Sequence, residues 1–353
     1  MTRKAKSIRG ARTALFCALL SFVFMQWTLL VLIQSWKPRP AHDPEYAHKL
    51  SQLRARLSQT KTSGPLILVL GSSRIATGFR PEILPRMQKS GPQTARIFNL
   101  GICQWVEPAT QSIILHRVLR ERIRPDCVLF EIFPAIVSAG PEQLITLNLT
   151  RVDWQDLEVV RPYTASWLRQ RVNWMGTRWV PAFSQRFLLL SRYAPKWVEL
   201  NKAVNFNWAR LGDWGWTCLP NYNLRYPITN ERKAAYKVRL GHAFMSETSR
   251  QIYQDMFEFC RKSNIAVGLV LMPEHSQFRE LYTPASEARL QEAFNDLGAR
   301  FDVPVVDART WMPDEAFVEG VHLTHAGAAA FTQLFDAKII QPTLLTDVRF
   351  GAR

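Results

Sequence analysis

The chain has 353 residues, 47% of them hydrophobic, and a formal net charge of +16. That length accommodates one large domain with an insertion, or two domains, with ample apolar content for a core. The sequence holds no zinc-ligand pattern and no nucleic-acid-binding motif, so the positive charge is not read as a DNA or RNA footprint. Its distribution is uneven. Residues 1–42 carry seven Lys or Arg and no acid, residues 151–250 carry sixteen basic and seven acidic residues, and the remainder balances at 22 of each. The basic character belongs to a tail and a central segment, where it suits anionic lipid, an anionic polymer or an acidic partner.

Arg3, Lys4, Lys6, Arg9 and Arg12 give a basic tail over residues 1–13. Residues 14–33 then hold no charge, enough to cross a bilayer core of about 30 Å as a helix. Trp27 and Trp36 suit the outer half of the bilayer and its interface. The run is longer than the apolar region of a cleaved signal peptide. No small-x-small site follows it; Lys37-Pro38-Arg39-Pro40 comes instead, so an uncleaved anchor is expected. More basic residues precede the span than follow it, which puts the N-terminus in the cytoplasm and the rest of the chain outside, periplasmic or extracellular. Residues 34–64 read as a linker. Its helix from Pro44 to Lys61 carries Tyr46, Leu50, Leu53 and Leu57 on one stripe and reads as a spacer.

Leu66 to Leu70 is an aliphatic run closed by Gly71-Ser72-Ser73, the pattern of a buried parallel strand ending in a tight turn. Open α/β sheets place their chemistry at such carboxyl ends; the plain alternative is a strand-to-helix turn with a Ser cap. Phe79 to Met87 reads as a short helix, Arg96 to Ile102 as a second strand and Glu107 to Arg122 as a helix. Cys127 to Phe133 is the third strand, ended by Pro134. Residues 135–248 break the alternation. Eight of the twelve Trp fall between Trp154 and Trp216, interleaved with Arg and Lys, and Trp167 to Trp197 reads as helical and partly apolar. This composition fits a membrane interface, a sugar-stacking surface, a protein partner, or the core of a helical cap. The core resumes with a helix from Ser249 to Ser263 and a strand from Ile265 to Met272. A helix from Pro284 to Phe301, a strand from Pro304 to Asp307 and a helix from His325 to Ile340, capped by Thr324, complete it. The alternation predicts an α/β fold with a five-stranded parallel sheet covered on both faces. Its two parts are residues 65–134 and 249–342, with 343–353 as a C-terminal tail.

Glu319-Gly320-Val321-His322 lies just before the last helix, and a carboxylate three residues before a His can orient that His against a serine. Taken with Gly71-Ser72-Ser73 and Asn99-Leu100-Gly101, this stretch resembles the SGNH/GDSL hydrolase family. The resemblance covers residues 65–133 and 250–342. It implies a three-layer αβα, flavodoxin-like fold with Ser73 as nucleophile, His322 as base and Glu319 where the family has Asp. The backbone amides of Ser73 and Gly101 would hold the oxyanion. Asp307 and Asp314 are rival carboxylates for His322. The third strand ends Glu131-Ile132-Phe133-Pro134, without the Asn that the family places there. Loss of one oxyanion donor typically costs about 10²–10³ in rate. Arg74, Glu274, His275 and Arg279 follow strand ends on the same side, Asn99 lies in the second strand beside Gly101, and all five are candidates to touch substrate, with a structural or rim role as the alternative. His325 follows His322 by three residues, but no third ligand is in sight, and no metal or cofactor is expected. Cys103, Cys127, Cys218 and Cys260 offer up to two disulfides or buried thiols.

A single anchor, an external domain and a Gly-Ser-Ser turn also look like the D-alanine transfer and alginate O-acetylation proteins, which partner a multi-spanning membrane acyltransferase. That likeness implies a serine esterase or O-acyltransferase working on acyl or acetyl groups of a cell-surface polysaccharide. Two alternatives stand beside it. One is a lipase or acetylesterase with a lipid-facing cap. The other is a catalytically silent scaffold that binds polysaccharide, or the acyltransferase, through the Trp-rich insertion.

Overall fold

The computed structural model describes residues 3–59, 64–88, 95–103, 108–137, 147–198, 211–219, 225, 228–241 and 245–344. The start of the expected helix at Glu107, Trp208 of the central segment and residues 345–353 of the C-terminal tail lie outside the described residues. In chain order the elements are α1 (Arg3–Ser35), α2 (Pro44–Gln59), β1 (Leu66–Gly71), α3 (Ser73–Gly78), α4 (Pro85–Gln88) and β2 (Arg96–Gly101). Then come α5 (Pro108–Arg120), β3 (Cys127–Ile132), α6 (Pro134–Val137), α7 (Trp154–Val160), α8 (Trp167–Trp179), α9 (Pro181–Ser184) and α10 (Arg186–Tyr193). The chain continues with α11 (Asn230–Gly241), α12 (Glu247–Lys262), β4 (Ala266–Leu271), α13 (Ser276–Arg279), α14 (Pro284–Phe301), β5 (Val305–Asp307) and α15 (His325–Phe335).

Two compact units result. One comprises Met1–Ala47, Asn148–Val152 and Ser166–Phe206; the other comprises His48–Leu147, Asp153–Ala165 and Asn207–Arg353. The second unit is a mixed α/β body around an all-parallel sheet of order β2-β1-β3-β4-β5. The aliphatic runs explain the sheet. β1 and β3 are buried along their whole length, as strands covered on both faces must be. The register pairs Gly71 with Gly101 and Ile132 with Leu271, so the carboxyl ends of neighbouring strands finish level. Beneath one face, Val69, Phe79, Ile97, Leu129, Phe331 and Phe335 belong to a single apolar cluster, and α15 packs on α3. The serine helix and the final helix are thereby fixed side by side.

Three expectations change. The linker helix is not a free spacer in its second half. Lys49, fully buried, donates from Nζ to the carbonyl of Gly101 at 2.7 Å, and Arg56 pairs with Asp213 at 2.5 Å. A cation that reads the open carbonyls at the end of β2 makes the helix from His48 onward part of the sheet unit. Second, residues 135–248 are divided between the two units. Residues 211–219 return to the sheet: the Asn99 N–H donates to Trp214 O, the Thr217 N–H to Ala76 O and the Trp216 indole to Thr77 O. Third, the helix expected to run to Ile340 leaves α geometry at Asp336 and widens into a π-helix over Asp336–Leu344, which contains Pro342. None of the five cysteines is in a disulfide.

The first unit is built on α1. The most apolar 18-residue stretch within Gly10–Ser35 has a mean hydropathy of 2.3, and the helix is long and apolar enough to cross a membrane. Eleven large apolar side chains between Leu15 and Leu32 are exposed. α8 and α9 pack on this helix, and Gln26 Oε1 accepts the Ala182 N–H at 3.1 Å. Farther along, Ile33, Trp36 and Ala41 form a small core with Leu188 of α10. The exit from the helix is pinned by charge: buried Asp43 takes Arg151 Nη2 at 2.6 Å, and Glu45 lies 3.2 Å from the same nitrogen.

Candidate active site

β1 delivers Gly71, Ser72 and Ser73 to the carboxyl edge of the sheet. Ser72 is the N-cap of α3, and its hydroxyl accepts the Arg74 N–H at 3.1 Å. The capping alternative therefore falls to Ser72, and Ser73 is left at the first helical position, where a backbone N–H has no partner within its helix. The Ser73 Oγ lies 2.8 Å from His322 Nε2. His322 Nδ1 is bonded to Glu319 Oε1, so the three residues form one chain of contacts. The His322 loop is itself held: Val318 N–H donates to His322 O, and His275 N–H donates to Gly320 O. Burial works against the charge of Glu319, but its bond to His322 and the field of His322, Arg232 and Arg74 hold its carboxyl below the usual range. An ionised Glu319 can fix the tautomer of His322 and stabilise an imidazolium.

The rival carboxylates are engaged elsewhere. Asp314 takes the N–H and the hydroxyl of Ser276, at 2.8 and 2.5 Å, and Asp307 is forked with Arg309 at 2.6 Å. His275 and Arg279 are near the site but partly committed. His275 Nδ1 accepts the Gln277 N–H, while Arg279 donates to the Glu274 and Arg309 carbonyls. His275 does line a cavity of about 300 Å³ that opens beside Glu319 and includes Arg225, Gln277 and Phe317.

Four other candidates take different roles. Arg74 is 2% exposed and cannot reach out to substrate; its Nη2 donates to the carbonyls of Met272 and Pro273, at 2.9 and 3.1 Å. It stands between two buried carboxylates, 3.7 Å from Glu131 and 3.5 Å from Glu274, with Phe133 under its guanidinium at 4.4 Å. Glu274 is fully buried and accepts the Tyr282 hydroxyl at 3.1 Å, so it too is a core group. Burial raises it to about 7, against the pull of Arg74 and Arg309. Asn99 is also fully buried. Its Nδ2 donates to the carbonyls of Ile75 and Phe79, and its Oδ1 accepts the Gly101 N–H at 2.9 Å. That last bond removes the Gly101 amide from the oxyanion role. Gly101 is needed for another reason: a Cβ there would overlap the backbone of Ala76. Asn99 and Gly101 together clamp α3 onto β2.

Sequence reasoning passed over Glu131. Its Oε2 accepts the Ser72 N–H at 2.6 Å, holding the turn from inside the sheet. Gly71 is the residue that admits it, since a Cβ at 71 would meet that same oxygen at 2.5 Å. The signal was present, because a lone carboxylate in the apolar strand Cys127–Ile132 needs a buried partner. No protein-family model matches this chain, and no curated protein matches it.

Proposed function

We propose that the chain is a membrane-anchored, extracytoplasmic serine esterase or O-acyltransferase of SGNH type. The observation that carries the reading is the contact chain from Ser73 Oγ through His322 to Glu319, mounted at the carboxyl edge of a parallel sheet. The strand order 2-1-3-4-5 supports a flavodoxin-like, three-layer arrangement, in which ligands bind outside the carboxyl ends. In the proposed reaction, Ser73 Oγ attacks an ester carbonyl carbon while its proton passes to His322 Nε2. The carbonyl oxygen becomes an oxyanion facing the Ser73 N–H. His322 returns the proton to the departing alcohol, leaving an acyl-serine. Water, or the hydroxyl of an acceptor, then attacks the acyl carbon and loses its proton to His322, which passes it to the departing Ser73 Oγ and so restores the free serine. The cavity beside Glu319 has room for one of the substrate's arms. Acyl groups on a cell-surface polysaccharide are the proposed substrate, and a multi-spanning acyltransferase is the proposed membrane partner.

One observation favours a second reading, a catalytically silent scaffold. The Gly101 amide is occupied by Asn99, which reduces the donors available to an oxyanion. Both readings are tested by treating the full chain, in detergent and in native membranes, with a fluorophosphonate probe and locating the label by mass spectrometry. The enzyme reading requires label on Ser73, lost in Ser73→Ala and in His322→Ala. A folded protein that stays unlabelled in both settings would establish the scaffold instead.

A further inference from the structure

α8 has an apolar stripe that faces away from the protein. Leu168, Val172 and Trp179 are exposed at 70, 58 and 71%, at helical spacings of four and seven, with Met175 between them on the same line. The opposite side of the helix is the one that packs: Gln170 is buried, and the Trp174 indole donates to the carbonyl of Val152. Phe183, Tyr193 and Trp197 continue the exposed apolar surface through α9 and past α10. From residue 166 to 198 the chain holds Arg169, Arg171, Arg178, Arg186, Arg192 and Lys196 and no acid. Three of these cations lie close to aromatic rings: Arg192 is 4.3 Å over Trp36, Arg186 is 4.3 Å over Phe183, and Arg178 is 5.4 Å over Trp174. Exposed apolar stripe, aromatic tips and a purely basic polar side together describe a helix suited to lie in a bilayer interface.

The place of attachment on α1 gives the depth. At about 1.5 Å per residue, Gln26 lies about 21 Å along the helix from Arg12 and Trp36 about 36 Å. With Arg12 at the inner boundary of a core about 30 Å thick, α9 meets the span about 9 Å below the outer boundary, and Trp36 stands just above it. Interfacial helices bury their apolar face by about 5–10 Å, which matches this level. We propose that α8, α9 and α10 form a collar lying in the outer leaflet around the anchor, with Leu168, Val172 and Trp179 in the acyl region and Arg169, Arg171 and Lys196 on anionic phospholipid headgroups. The inference rests on reading α1 as a membrane span.

The test uses the full chain in nanodiscs, in a Cys17→Ala, Cys218→Ser background with a bimane label on one introduced cysteine. Val172→Cys and Trp179→Cys should be quenched by phospholipids brominated near the headgroup end of the acyl chain and shielded from iodide. Arg171→Cys should be open to iodide. Phe22→Cys, within α1, should be quenched by lipids brominated deep in the chain; failure there overturns the anchor itself. Quenching at Phe22 with iodide access at positions 172 and 179 overturns the collar alone. Iodide access in nanodiscs that disappears in native membranes also overturns it, because a protein then covers the stripe. Brominated phosphatidylglycerol should quench position 172 about twofold or more over brominated phosphatidylcholine at equal mole fraction, and Arg169→Gln/Arg171→Gln/Lys196→Gln should abolish the difference. Equal quenching by the two lipids in the wild-type background overturns the assignment to anionic headgroups.

Discussion

Replacing Arg74 with Met tests whether the cation beside Ser73 holds the strand ends together. Arg74 lies 3.7 Å from Glu131 and 3.5 Å from Glu274, and neither carboxylate side chain is more than 1% exposed. Met fills much of the same space and carries no charge, so two buried carboxylates lose their shared cation. Removing one partner from a buried pair costs about 3–5 kcal/mol. For a body of this size each kcal/mol moves the melting temperature by about 2–4 °C, so a fall of about 6–20 °C is expected. The loss should vary with pH. Glu274, raised to about 7 by burial, is protonated in the fold at pH 5 and largely ionised at pH 8. A carboxyl whose folded pKa exceeds its unfolded one becomes a growing burden as pH rises between the two values. Without Arg74 that burden grows further and extends to higher pH. The deficit of Arg74→Met should therefore be larger at pH 8 than at pH 5, and adding Glu274→Gln should narrow the difference. Thermal unfolding of the full chain in detergent, followed by circular dichroism at both pH values, reads these effects. An Arg74→Met protein that melts within about 2 °C of the wild type at pH 8 would refute the buried-cation argument.

Other expected outcomes follow from the same geometry. Glu319→Gln keeps the shape beside His322 Nδ1 but cannot stabilise the imidazolium, so fluorophosphonate labelling of Ser73 should slow by about 10²–10⁴-fold with little change in melting temperature. An unchanged labelling rate would show that Glu319 is not the acid of the site. Asn99→Ala strips buried bonds to Ile75, Phe79 and Gly101 and should cost about 2–4 kcal/mol, with faster amide exchange across residues 73–79. Exchange that rises uniformly through the sheet, without emphasis on α3, would contradict the clamp.

Much of the fold was legible because buried parallel strands leave little choice of residue. Leu66 to Leu70 and Cys127 to Phe130 are apolar at every position, and both runs lie within the observed strands Leu66–Gly71 and Cys127–Ile132. The meeting of Ser73 with His322 and Glu319 was legible because each sits just past a strand or just before a helix, where an open sheet gathers loops. The polar residues at the same strand ends were not. Arg74 and Arg279 are both arginines in short helices after a strand, and spacing does not say which one turns inward. That outcome is set by Glu131, in β3, and Glu274, in the loop just after β4. Asn99 misled for a related reason. An amide beside a proposed oxyanion glycine reads as a substrate contact, whereas here it satisfies the carbonyls of the serine helix. The shared central segment was illegible because Trp and Arg serve equally in a core, at a lipid interface and against a backbone carbonyl. Trp216 does the last while Trp179 is exposed.

The order of strands has a consequence for the chain as it is made. β1, β2 and β3 come from the first 132 residues, and β3 is flanked in the finished sheet by β4, which begins at Ala266. About 134 residues separate the end of β3 from its neighbour. At roughly 5–20 residues per second, ribosomal synthesis leaves the open side of β3 waiting for about 7–27 s. During that interval three strands present a row of unpaired amides and carbonyls, a template for mispairing with another nascent chain. Trp214, Trp216 and Thr217, which bond to β2 and the serine helix, emerge before β4 does. They can close over the first half of the candidate site while the other half is still unmade, so Ser73 is seated well before His322 exists.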